Sequence, residues 1–147
     1  MFADLLKRLI QPTTGRPLPD TDARLALSAL LVRIARADGD YAPAEIDRID
    51  RILAARYTLP PEAASALRTQ AEVLESEAPD TVRFTRAIKD AVPYEDRLRV
   101  IEALWQVALA DGERDGAEDA LIRMVSAMLG VSDQDSAQAR LRIQAQE

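Results

Sequence analysis

Two short acidic segments carry the residue types able to do chemistry in this chain. Asp38-Gly39-Asp40 is followed by Glu45, and Asp111-Gly112-Glu113 by Glu118, so each Glu stands seven positions after its leading Asp. Oxygen donors in such a pattern suit Ca²⁺, Mg²⁺ or Mn²⁺ better than softer metals. They can equally serve the backbone. Asp-Gly is turn chemistry, with Gly supplying a positive φ, and a Glu near a helix N-terminus meets the positive end of the helix dipole. Asp115 and Glu118 have capping-box spacing, whereas Ala42, at the matching place in the first segment, has no side-chain acceptor.

The segments are not EF-hands. That loop needs acids at positions 1, 3 and 5, Gly at 6 and a bidentate Glu at 12. Asp111, Glu113, Asp115 and Gly116 satisfy the beginning, but position 12 is Ile122; the first segment fails earlier, at Ala42 and Pro43.

Each glutamate heads an apolar stripe. Glu45 lies four residues before Ile49 and seven before Ile52, and Glu118 lies four before Ile122 and seven before Val125. On a helix these positions share one face, so both carboxylates are predicted to point inward beneath their acidic turns. A carboxylate withdrawn from water must be compensated. The turn's own N–H groups, Arg36 or Arg114, or a bound cation could do this. Three readings stay open: helix capping, a divalent-cation site drawn from Asp38, Asp40, Glu45, Asp111, Glu113 and Glu118, and a surface that docks a protein partner.

Composition narrows the rest. The chain has no Cys and no His, which removes thiol chemistry, zinc–thiolate sites, the commonest general base and the usual zinc and copper ligand. An enzyme would need carboxylates alone as acid and base, as in glycoside hydrolysis, together with a deep cleft and aromatic platforms. One Trp, three Tyr and two Phe are few for that. A non-catalytic binding module is the expectation, with a purely structural oligomerisation scaffold as its alternative. The net charge of −6, with Lys7 and Lys89 the only lysines, disfavours nucleic acid. No run of about 20 apolar residues suggests a membrane span, and the N-terminus lacks a signal-peptide pattern, so a cytoplasmic location is expected by default.

The elements that must position the acids are helices. At 147 residues the chain has the length of one domain, rich in Ala, Leu, Arg and Glu. Phe2, Leu5, Leu6 and Leu9 lie on one face of a short N-terminal helix, followed by the Pro-rich linker Pro12 to Pro19, so residues 1–19 stand apart as a segment that docks back or self-associates. A long helix is predicted from Asp20–Asp22 to Ala37. Its apolar residues include Leu25 and Val32 outside the main stripe of Leu27, Leu30, Leu31 and Ile34, which places it centrally. Further helices are predicted from Pro43, from Leu59-Pro60-Pro61-Glu62 to about Ala78, from Pro79-Asp80 with Val82 and Ile88 inward, and from Pro93. The last two carry Leu121 to Leu129, ending at Gly130, and the C-terminal stretch capped by Ser132 or Asp133. Trp105, spaced helically from Leu98 and Ile101, reads as core.

Set against itself at an offset of 73, the chain repeats. Ala37-Asp38-Gly39-Asp40 falls on Ala110-Asp111-Gly112-Glu113, Ala44-Glu45 on Ala117-Glu118, Ile49 on Ile122, Ile52 on Val125, and Leu59-Pro60 on Ser132-Asp133. The prediction is an all-α fold of seven to eight helices: two pseudo-two-fold halves, about 20–70 and 93–147, around one core.

Ala35-Arg-Ala-Asp-Gly-Asp40 with Glu45, and Leu109-Ala-Asp-Gly-Glu113 with Glu118, followed by Leu129-Gly-Val-Ser132, resemble the TerB-like family of tellurite-resistance helical domains. The resemblance covers roughly Asp22 to the C-terminus, leaving residues 1–19 outside and 20–147 as the TerB-like domain. It implies an all-α bacterial domain associated with tellurite and other stress responses. The metal-related role proposed for the family's acids would fall on Asp38, Asp40, Glu45, Asp111, Glu113 and Glu118.

Overall fold

A helix that is apolar on nearly every side has to be buried on nearly every side. Helix α1 (Asp20–Arg36) is of this kind: Leu25, Leu27, Leu30, Leu31, Val32 and Ile34 are all buried. The structure, a computed structural model, describes residues 20–77, 81–110 and 116–146, so the N-terminal segment 1–19 and the second acidic segment 111–115 lie outside the described residues. Those residues form α1, α2 (Pro43–Tyr57), α3 (Pro61–Glu77), α4 (Val82–Ala91), α5 (Tyr94–Ala108), α6 (Gly116–Met128) and α7 (Asp133–Gln146), with no strand among them. The fold is all-α, as its sequence predicts.

Helix α1 packs against α2, α3, α4, α5 and α6. The pairings α1–α2, α1–α3 and α2–α3 in the first half recur as α5–α6, α5–α7 and α6–α7 in the second. Across the halves, α2 meets α5 as α6 meets α1. This exchange is what two related halves closing one core produce. Helices α5, α6 and α7 begin at 94, 116 and 133, where the offset of 73 places 93, 116 and 134. Helix α4 stands between the halves in sequence and has no counterpart among the described residues.

Two details depart from the expected pattern, and one open alternative is resolved. Val82, expected inward, is 41% exposed. The buried stripe of α4 runs through Phe84, Ala87 and Ile88, and Val82 sits about 200° around the helix from Phe84. The turns after α2 and α6 match at an offset of 72, not 73. In the first, Leu59 N–H donates to the Ala54 carbonyl across Thr58; in the second, Val131 N–H donates to the Ser126 carbonyl across Gly130. Both intervening residues are left-handed, with φ of 52° and 77°, so Leu59 pairs with Val131 and the predicted match to Ser132 slips by one. The last helix begins under Ser132, whose Oγ accepts the Asp135 N–H at 3.1 Å, which settles the cap between Ser132 and Asp133.

Arg97, in the first turn of α5, ties two helix ends together. Its guanidinium donates to the carbonyls of Lys89 and Val92 at the end of α4 and of Leu129 just after α6. Carbonyls left over at a helix C-terminus are satisfied, and a cation is placed at the negative end of the dipole.

Candidate functional site

The first acidic turn leaves the C-terminus of α1 and enters α2. Gly39 has φ +83°, a left-handed conformation that opens the chain for the reversal. Asp38 Oδ1 accepts the Asp40 N–H at 2.8 Å, closing an Asx turn. Pro43 occupies the first turn of α2, where its missing N–H costs nothing. Asp40 is exposed and Asp38 partly so.

Glu45, three residues past the cap Ala42, is fully buried at 0% exposure. Its Oε1 accepts the Ala42 N–H at 3.0 Å. This is the returning half of a capping box, the half that needs nothing from the Ala42 side chain. The sequence suggested Arg36 as a partner for Glu45, but Arg36 pairs with Glu75. In the second half Glu118 lies in the first turn of α6 and is likewise buried, at 1% exposure. Both carboxylates therefore point inward at equivalent helix starts.

Burial of the glutamates does not gather the acids around a point. Among the described residues, no three carboxylates converge closely enough to hold a metal ion. Asp38, Asp40 and Glu45 share a turn without forming a cage, and two of them are engaged with backbone amides. Asp111 and Glu113 lie outside the described residues.

What does converge on the first turn is a polar network invisible in the acidic motif. Glu75 on α3 accepts Arg36 Nη1 at 2.6 Å and Arg33 Nε at 3.1 Å, while Arg33 Nη2 donates to the Glu75 carbonyl at 2.9 Å. The Arg36 guanidinium lies 4.9 Å from the centre of the Tyr41 ring. Tyr41 Oη donates to Glu72 Oε2 at 2.7 Å. Arg68 donates to the same oxygen at 2.9 Å, to Asp50 Oδ1 at 2.6 Å and to Ser65 Oγ at 3.0 Å. The acidic turn is thus pinned before Asp38 by Arg36 and after Asp40 by Tyr41, both to α3.

Burial, and then the hydrogen bond to Glu72, push the Tyr41 hydroxyl well above the ordinary tyrosine pKa. Burial of Arg68 works against its charge, but the bonds to Asp50 and Glu72 outweigh it and hold the guanidinium above the usual arginine value. The Arg68–Glu72 spacing of four was legible in the sequence. The long-range partners Asp50, Tyr41 and Glu75 were not. At an offset of 73, Arg33, Arg36, Tyr41 and Asp50 fall on Gln106, Leu109, Arg114 and Arg123; past the turn, at an offset of 72, Arg68 and Glu72 fall on Arg140 and Gln144. Of these six positions only Arg68 keeps its residue type in the second half, as Arg140.

Trp105 is core, as its spacing predicts, at 4% exposure. Its Nε1–H donates to Ser136 Oγ at 3.1 Å, so the buried indole is satisfied across α5 and α7. A cavity of about 160 Å³ opens instead at the start of α1, lined by Leu27, Tyr57, Ile88 and Val92. It lies about 20 Å along α1 from the acidic turn. Among the described residues, no helix is long and apolar enough to cross a membrane.

The family described as tellurite resistance protein TerB matches residues 24–141, and the chain belongs to that family. No curated protein and no solved structure matches the chain.

Proposed function

We propose that this TerB-family chain is a non-catalytic, tellurite- or stress-related binding module that takes up a divalent cation at its second acidic turn, through Asp111, Glu113 and Glu118. The observation that supports this is the burial of Glu118 to 1% in the first turn of α6, immediately after five residues that include three acids. A carboxylate kept out of water needs hydrogen bonds or positive charge to balance it, and the three acids that precede Glu118 in sequence supply oxygen ligands with which a cation could be held. The first turn, Asp38, Asp40 and Glu45, serves the fold in this reading. It has fewer acids, two of them accept backbone amides, and the network through Tyr41 and Arg36 fixes its position without any ion.

Oxygen ligands alone select Ca²⁺, Mg²⁺ or Mn²⁺. The test is thermal unfolding of the full chain with each cation in turn, in wild type, Asp38→Asn, Asp111→Asn and Glu118→Gln. A cation at 100 times its Kd should add about 2.7 kcal/mol of stability. Wild type and Asp38→Asn should show that gain, and Asp111→Asn and Glu118→Gln should lose most of it. No response in wild type to any of the three cations, or an equal response in all four proteins, overturns the reading.

A further inference from the structure

The cavity at the start of α1 is walled by Leu27, Tyr57, Ile88 and Val92, with Arg24 and Arg56 at its rim. Both guanidinium groups lie against the Tyr57 ring, 4.6 and 5.8 Å from its centre. The walls are apolar, the volume is about 160 Å³, and both charged lining residues are cations. An apolar cavity of roughly 150 Å³ accepts a benzene-sized group. Arg24 belongs to the second turn of α1, so the opening lies beside the point where residues 1–19 join the fold.

We propose that the N-terminal segment of the same chain covers this cavity, seating the face formed by Phe2, Leu5, Leu6 and Leu9. Three features of that segment fit the site. At helical spacing its apolar residues would share one face, and its charges, Asp4, Lys7 and Arg8, would fall on the other side. The seated face therefore brings no cation against Arg24 or Arg56. Residues 11–19, with prolines at 12, 17 and 19, reach up to about 28 Å when extended, while the cavity lies within about 10 Å of Asp20 along α1. The linker has slack to turn back. Tethering then gives the segment an effective concentration in the millimolar range, which a second copy at micromolar concentration does not match.

The chain has no cysteine, so disulfide trapping has no background. Leu6→Cys and Leu9→Cys would each be combined with Ala91→Cys, at the cavity. The control pair is Leu6→Cys with Leu141→Cys, on the exposed surface of α7. Under mild oxidation of dilute full-length protein, at least one Ala91→Cys pair should close within one chain on the order of tenfold faster than the control. Adding Phe2→Asp should reduce that rate to the control value. Equal rates for all pairs overturn the proposal. So do links formed only between chains, which would assign the cavity to a second copy, and so does a rate that Phe2→Asp leaves unchanged.

Discussion

Replacing Arg68 by Met tests whether the first acidic turn is held by its network. Met keeps the apolar stem and removes the guanidinium, so bonds to Asp50 at 2.6 Å, Glu72 at 2.9 Å and Ser65 at 3.0 Å are lost together. Exposure sets the magnitude. An ion pair in open solvent contributes about 0.2–1 kcal/mol, and breaking a fully buried one costs about 3–5 kcal/mol. The Arg68 side chain is 15% exposed and its partners Asp50 and Glu72 are 27% and 23% exposed, so the carboxylates regain part of their hydration when the cation leaves. The expected loss is between the limits, about 2–3 kcal/mol, or roughly 5–10 °C in Tm for a chain of this length. Urea unfolding followed by Trp105 fluorescence should show a lower midpoint at an unchanged slope. Because Arg68 and Tyr41 donate to the same Glu72 oxygen, Arg68→Met and Tyr41→Phe should also be non-additive by at least about 0.5 kcal/mol. A loss below about 0.5 kcal/mol, with additive effects, would show that these contacts behave as solvated surface pairs and that the turn is positioned by something else.

Two further outcomes follow from single groups. The unfolded chain ionises Tyr41 near pH 10, whereas burial and the bond to Glu72 raise the folded-state pKa. Its contribution is therefore whole below about pH 10 and is lost as pH rises from there through the folded value. Between about pH 9 and pH 11 wild type should lose stability more steeply than Tyr41→Phe, and parallel losses would contradict the assignment. Thr58 is the one non-glycine residue with positive φ among those described, at 52°, in the position that Gly130 fills in the second half. Left-handed backbone costs an ordinary residue about 1–2 kcal/mol, against about 0.4–1 kcal/mol for the extra freedom of glycine in the unfolded chain. Thr58→Gly should raise stability by about 0.5–1 kcal/mol in urea unfolding, and a loss would show that the Thr side chain makes a compensating contact.

The helices and the direction of the two glutamates were legible because each depends on local periodicity. Glu45 and Glu118 head apolar stripes, and a stripe that must face the core carries its first residue inward with it. Pro43 and Gly130 mark helix ends for equally local reasons. The network was not legible because Arg36 and Glu75 stand 39 positions apart and meet only once α3 lies beside α1. Val82 was misplaced for a related reason: at the first position of a ten-residue helix, too few neighbours precede it to fix the phase of the stripe. The slip from 73 to 72 between the turns at Thr58 and Gly130 became visible only through the hydrogen bonds that span them.

The two halves share a helix plan but not the residues that flank their acidic segments, and this difference bears on function. In the first half, Arg36, Tyr41, Arg68, Glu72 and Glu75 fix the turn from both sides, and Asp38 and Glu45 accept its amides. A turn so constrained is already in its final shape, and binding an ion there would mean giving up bonds it has. The second half has Leu109, Arg114 and Gln144 where the first has Arg36, Tyr41 and Glu72, while adding Asp115 to the acids before Glu118. The segment with more carboxylates and a different set of flanking residues is the one whose stability a cation is expected to raise most. The response to a divalent ion should therefore follow the second half, and substitutions in the first should change stability equally with and without it.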